Sequence, residues 1–118
     1  MGIITISTTI TDLTGKRKVS GEFLVDTGAA YTVLPKNMAE KLGLKSQKTQ
    51  KFSLADGSIV QRKLSSAIVK IDGQEAASTV VIGQKDDSPL IGVITLENMG
   101  LMVDPFKRKL IPMKLMLG

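Results

Sequence analysis

Two Asp-Gly dipeptides, at 56–57 and 72–73, each stand between apolar-rich runs that read as strands, and they constrain the fold more than any other feature. An Asp-Gly connection predicts a tight hairpin, because both central residues of that turn take positive φ. The alternation of β-branched runs with glycine-containing turns continues along the chain, which predicts an all-β fold. Residues 3–10 read as a first strand, with a turn over 12–18 around Gly15, and residues 19–25 return from it. A short strand over 31–34 stops at Pro35, and PKNMAEKLGL then reads as one helix. Proline suits the first turn of that helix, Met38, Ala39 and Leu42 share a face, and Gly43 ends it. The segment 58–71 predicts a strand long enough to project beyond a compact sheet. Residues 80–82, 101–103 and 109–117 supply further strands, DDSP (86–89) a loop, and TLENMG a second short helix closed by Gly100. No linker or low-complexity segment interrupts the series, so residues 1–118 are expected to form a single domain.

A chain of 118 residues with 42% apolar side chains can bury a core, roughly two-thirds of its unfolded surface at this length. That core is aliphatic, since the aromatics are Phe23, Tyr31, Phe52 and Phe106 alone. The absence of cysteine excludes disulfides and thiolate chemistry, and the absence of histidine excludes Ser-His and Cys-His nucleophiles. The net charge of +5 raises the possibility of a nucleic-acid partner. The cations, however, are spread over expected turns (Lys16-Arg17-Lys18, Lys45/Lys48/Lys51, Arg62-Lys63, Lys107-Arg108-Lys109), with no interleaved aromatics to stack on bases. They read as solvated hairpin ends, and no nucleic acid is expected. The amino terminus MGIITISTTI lacks the basic and long apolar regions of a leader, and Ile6 stands where a myristoylation start needs Ser or Thr. With no run long enough to span a bilayer, a cytoplasmic protein without membrane attachment is expected.

The residue that needs a reason is Asp26. It follows Phe23, Leu24 and Val25, the end of a buried strand, and precedes Thr-Gly-Ala-Ala. Most of the 11 acidic residues lie in turns or on helix surfaces, where solvation suffices. An isolated carboxylate beside an apolar strand is costly unless it is hydrogen-bonded, paired or functional. Thr27 can donate a hydroxyl, and Gly28 permits a tight turn that brings backbone amides to the carboxylate. An Asx-type turn ending a strand would be the plain structural explanation.

The wider pattern is more specific. FLVDTGAAYTVLP (23–35) resembles the active-site loop of retropepsin-like aspartic proteases, and SPLIGVITLENMGLMVDPFKRKLIP (88–112) resembles the second half of that family. There, an apolar-apolar-Gly segment crosses behind the loop and a helix follows. With LPKNMAEKLGL and LADGS, the likeness is to small single-domain prokaryotic members, over about residues 3–112. It implies a single-lobe acid-protease fold with one or two short helices, its active site formed by a homodimer. Asp-Thr-Gly occurs once, so the two carboxylates that flank the catalytic water would be Asp26 from each of two copies. Like charges so close share a proton and titrate as a unit. The resemblance further implies that Thr27 bonds across the dimer axis, that Gly28 and Ala29 offer backbone to the carboxylate and substrate, and that Ala55, Asp56, Gly57 and Ser58 form a flap over a bound polypeptide. No metal or cofactor is called for.

Two positions depart from retroviral members. Ala30 stands where an acidic residue commonly holds substrate backbone, and Val93-Ile94 where a charged pair ties the subunits. A non-catalytic peptide-binding or assembly module on the same fold is the alternative, although such a scaffold has no need of Asp26. An aspartate nucleophile for phosphate chemistry would want an acidic metal cluster and a phosphate loop, and the sequence has neither.

Overall fold

The computed structural model describes residues 4–118. The expectations for Gly2 and for Ile3 as the first strand residue lie outside the described residues. Within them the chain forms nine strands and two short helices: β1 (Ile4–Thr11), β2 (Lys18–Val25), β3 (Thr32–Leu34), α1 (Lys36–Leu42), β4 (Lys48–Ser53), β5 (Ile59–Ile71), β6 (Gln74–Ile82), β7 (Leu90–Ile91), α2 (Val93–Asn98), β8 (Leu101–Asp104) and β9 (Lys109–Pro112). The fold is all-β with two short helices, as expected.

Seven strands form one sheet in the order β1-β2-β7-β3-β6-β5-β4, and β1 also pairs with β5 through Ile10 opposite Val69. The sheet therefore curls back on itself, with β4 outside the ring. The length of β5 makes this possible. Its carboxy-terminal part (63–71) pairs with β6, and its amino-terminal part (59–64) pairs with β4. Over Ile59–Arg62 the register gives β5 no other neighbour. This stretch and β4 make a two-stranded ribbon that leaves the barrel, which is the projection the sequence predicts.

Alternation along the strands puts one face inside. Ile10, Phe23, Leu34, Val69, Val80 and Ile91 are fully buried and meet Leu42 of α1 and Leu96 of α2. Truncating Phe23, the largest buried side chain, to alanine is worth about 3–5 kcal/mol by the usual cost of such a cavity. Helix α1 begins directly after Pro35 and closes at Gly43, with Ala39 and Leu42 buried and Met38 packed against the core.

The two Asp-Gly turns differ. At 72–73 both residues are left-handed (Asp72 φ 49°, Gly73 φ 80°), the tight turn the dipeptide predicts. At 56–57 only Gly57 is (φ 87°). There the connection is longer: Leu54 N–H donates to Ser58 O at 2.8 Å, and Gly57 N–H donates to Leu54 O at 2.9 Å. The Asp56 carboxylate accepts both the N–H and the hydroxyl of Ser58 (2.9 and 2.6 Å). With its side chain spent as the turn's acceptor, Asp56 keeps ordinary backbone.

Several details also differ from the sequence reading, among them α2, which begins at Val93 rather than Thr95. β6 starts at Gln74 because it pairs with β5 from the turn outward. Arg62 and Lys63 lie within β5 rather than in a turn. β9 ends at Pro112, so residues 113–118 are not strand, and Leu115, Met116 and Leu117 are exposed.

Candidate active site

Strand β2 ends by delivering Asp26 into a turn held from both sides. The Asp26 N–H donates to Ile91 O at 3.0 Å, and Ala29 N–H donates to Asp26 O at 3.1 Å. The carboxylate itself accepts the Gly28 N–H at 2.9 Å through Oδ1. Asp26 is half-buried, while Thr27 and Gly28 are exposed. The plain Asx-turn geometry is therefore present, and it leaves the rest of the carboxylate available.

The segment behind the loop is LIG (90–92), as the resemblance implies. β7 runs parallel to β2 with Val25 opposite Ile91, and antiparallel to β3 with Val33 opposite Leu90. A Cβ on Gly92 would come within 2.4 Å of the Tyr31 carbonyl carbon, so this crossing tolerates only glycine. Next, the N–H groups of Val93 and Ile94 donate to Ala29 O and Ala30 O at 2.8 and 3.0 Å. The opening amides of a helix lack partners within it, and here the loop carbonyls supply them. Val93 and Ile94 thus hold the loop through their backbone, a task indifferent to the charged side chains they lack.

Below lies a buried chain of hydroxyls that the sequence reading missed. Ser78 donates to Thr79 O (3.2 Å), so Thr95 donates to Ser78 (2.9 Å) and Thr32 to Thr95 (2.6 Å). Thr32 Oγ1 is then free to accept the Gly92 N–H at 3.2 Å. Each hydroxyl spends its single hydrogen once, and β3, α2 and β6 are joined under the loop.

Asp26 opens onto a cleft of about 490 Å³ between the loop and the ribbon. Ala29, Ala30, Tyr31 and Val33 line it on the loop side, and Phe52, Leu54, Ala55 and Val60 on the ribbon side. Tyr31 and Phe52 bridge the two edge to face, with ring centroids 5.9 Å apart. Of the expected site residues, Asp26, Gly28, Ala29 and Ala55 share this cleft. Thr27 is outside its lining, as are Asp56, Gly57 and Ser58 at the ribbon tip.

A second carboxylate in the wall, Asp87, is also new. Arg62 grips it from β5 at 2.8 Å (Nε to Oδ2) and 3.3 Å (Nη2 to Oδ1), and the Gln84 N–H donates to Oδ2 at 2.7 Å. The Arg62 guanidinium thereby holds the Asp87 carboxyl below the usual aspartate range, against the opposing effect of burial. The two residues are 25 apart in sequence, and no local pattern announces them. Among the described residues this is the one ion pair, so Asp26 has no cation to neutralise it. Nor do three or more acidic side chains converge as a metal site among them. The cleft thus offers one uncompensated carboxylate on a rigid turn, beside an apolar surface wide enough for side chains.

A family model described as "gag-polyprotein putative aspartyl protease" matches residues 14–98. Among solved structures, that of a simian foamy virus (mac) protease superposes with a TM-score of 0.56 at 16% sequence identity, covering 79% of this chain and 91% of that one. No curated protein sequence matches the chain. The fold is that of the retroviral proteases, and with the family match spanning most of its length the chain belongs to the retropepsin-like gag-polyprotein aspartyl protease family.

Proposed function

We propose that the chain is an aspartic endopeptidase whose active site is assembled from two copies, each contributing Asp26. The observation that carries this reading is the setting of Asp26. It is held by the Gly28 amide, has no ion-pair partner among the described residues, and lies at the mouth of an apolar cleft. Hydrolysis by a carboxyl pair needs one member ionised, to take the proton of the attacking water, and one protonated, to hydrogen-bond the scissile carbonyl. A single copy supplies half of that. Asp87, the other carboxylate of the cleft, is committed to Arg62, so the partner carboxylate comes from a second molecule related by a two-fold axis.

In this reading Thr27, exposed beside Asp26, bonds to its counterpart across the axis. Gly28 and Ala29 present backbone to the dyad and to the peptide, and the ribbon tip Ala55–Ser58 closes over it as a flap. Residues 1–118 act as one domain, in the cytoplasm, on a polypeptide substrate, with no metal or cofactor. Among the described residues no helix is long and apolar enough to cross a membrane.

The test is Asp26→Asn. The variant should fold and dimerise like the parent while losing cleavage of an unfolded protein at mildly acidic pH. Cleavage retained by Asp26→Asn would refute the protease reading. A parent that binds peptides without cutting them would instead establish the peptide-binding module.

A further inference from the structure

Arg62 and Asp87 stand out in the cleft wall, because the surfaces around them (Tyr31, Val33, Val60, Val81) are largely apolar. Their side chains are 20% and 28% exposed, so the pair is mostly withdrawn from water yet reachable from the cleft. A guanidinium carries five N–H donors in a planar fork. Three are spent: Nε and one Nη2 hydrogen on Asp87, and one Nη1 hydrogen on Gln61 O at 2.9 Å. One hydrogen on each terminal nitrogen has no protein acceptor among the described residues, and these two N–H bonds lie in the plane of the fork. Asp87 is fixed in turn by the Gln84 amide at 2.7 Å, so the fork is aimed before anything binds.

We propose that Arg62, oriented by Asp87, is a specificity-determining residue that forms a subsite for a planar oxygen acceptor, the carboxamide or carboxylate end of a substrate Gln or Glu. The proposal rests on the reading of this cleft as the peptide-binding site. The two remaining in-plane N–H bonds suit such a group, and an aliphatic side chain in the same place would leave both donors dry and unpaired. Asp87 already balances the charge of Arg62, so a neutral carboxamide is accepted as well as an acid. Asp87 is the positioning member: it touches Arg62 rather than the substrate.

The experiment separates this inference from catalysis by measuring binding to the Asp26→Asn protein. Three otherwise identical peptides carry Gln, Glu or Met, side chains of similar length, at each position in turn. One position is expected to favour both Gln and Glu over Met, by about tenfold, the ordinary worth of such paired hydrogen bonds. In the double variant Asp26→Asn/Arg62→Met the preference at that position should vanish. Arg62→Lys, which keeps the charge and loses the fork, should retain only part of it, and it serves also if the Met variant folds poorly. Asp87→Asn should weaken the preference without abolishing it. Equal affinities for all three peptides at every position, or a preference unchanged by Arg62→Met, would overturn the assignment. Either result stands whether or not the parent protein cleaves peptides.

Discussion

The hydroxyls of Thr32 and Thr95 meet 2.6 Å apart in the interior, and Thr32 in turn receives the Gly92 amide that backs the Asp26 loop. Both side chains are fully buried. Because Thr95 is the middle of a three-hydroxyl chain, its removal strands a donor on Thr32 and an acceptor on Ser78. Thr95→Val is therefore expected to destabilise the protein by about 2 kcal/mol, the usual cost of leaving buried polar groups unpaired. Thr95→Ser keeps the oxygen and should recover most of that. Chemical denaturation of the two variants decides it, and equal stabilities for Val and Ser would show that the chain contributes shape and not hydrogen bonding.

Acid should act on the Arg62–Asp87 pair with a definite sign. The folded-state pKa of Asp87 lies below its unfolded value, through the hydrogen bonds from Arg62 and Gln84. Such a group contributes stability that is fully present above the ordinary aspartate pKa, about 4. That contribution fades as pH falls further, through the folded value. The melting temperature of the parent should exceed that of Asp87→Asn at neutral pH, and the gap should close on acidification below about pH 4. A gap that stays constant or widens toward low pH would contradict the assigned pair.

These two networks also mark where the sequence stops being legible. The strand rhythm, the helix after Pro35 and the Asp26 loop could all be read, because each is encoded by neighbours in the chain. The hydroxyl chain joins Thr32, Ser78 and Thr95, and the ion pair joins positions 62 and 87. Nothing in the local pattern of a threonine in a β-rich chain distinguishes buried from exposed. Arg62 sits beside Lys63 and resembles any solvated basic pair until the register of β5 turns the one toward the cleft. The turn at 56–57 was ambiguous for another reason. Asp-Gly supports a tight two-residue connection, but the side chain of Asp56 can also close a longer one, and Ser58 supplies the donors that favour the second.

That longer turn bears on the proposed flap. Gly57 has φ 87°, and a Cβ there would meet nothing within 4 Å. Substitution is therefore a question of backbone strain alone. Gly57→Val should cost on the order of 1 kcal/mol locally, at the tip of the ribbon where, among the described residues, β4 and the start of β5 pair only with each other. Turnover should fall more than global stability if the tip closes over substrate. Parallel losses of melting temperature and kcat would identify an ordinary structural hairpin.

The carboxy terminus offers the most direct test of assembly. Met113 N–H donates to Gly100 O at 2.7 Å, which anchors the chain just beyond β9. After it, Leu115, Met116 and Leu117 are 69%, 76% and 108% exposed, and among the described residues the β8-β9 pair has no further strand beside it. Three consecutive large apolar side chains in water are a liability that a second copy would remove. On the proposed two-copy reading, half an active site is inert and activity depends on that association. A chain ending at Met113 keeps the anchoring hydrogen bond and every buried core side chain, so it should still fold. It is expected to sediment as a monomer at concentrations where the full chain is a dimer, and its specific activity should fall by an order of magnitude or more and recover as its concentration is raised. A truncated chain that sediments as a dimer with undiminished activity would place the dimer contact elsewhere on the molecule.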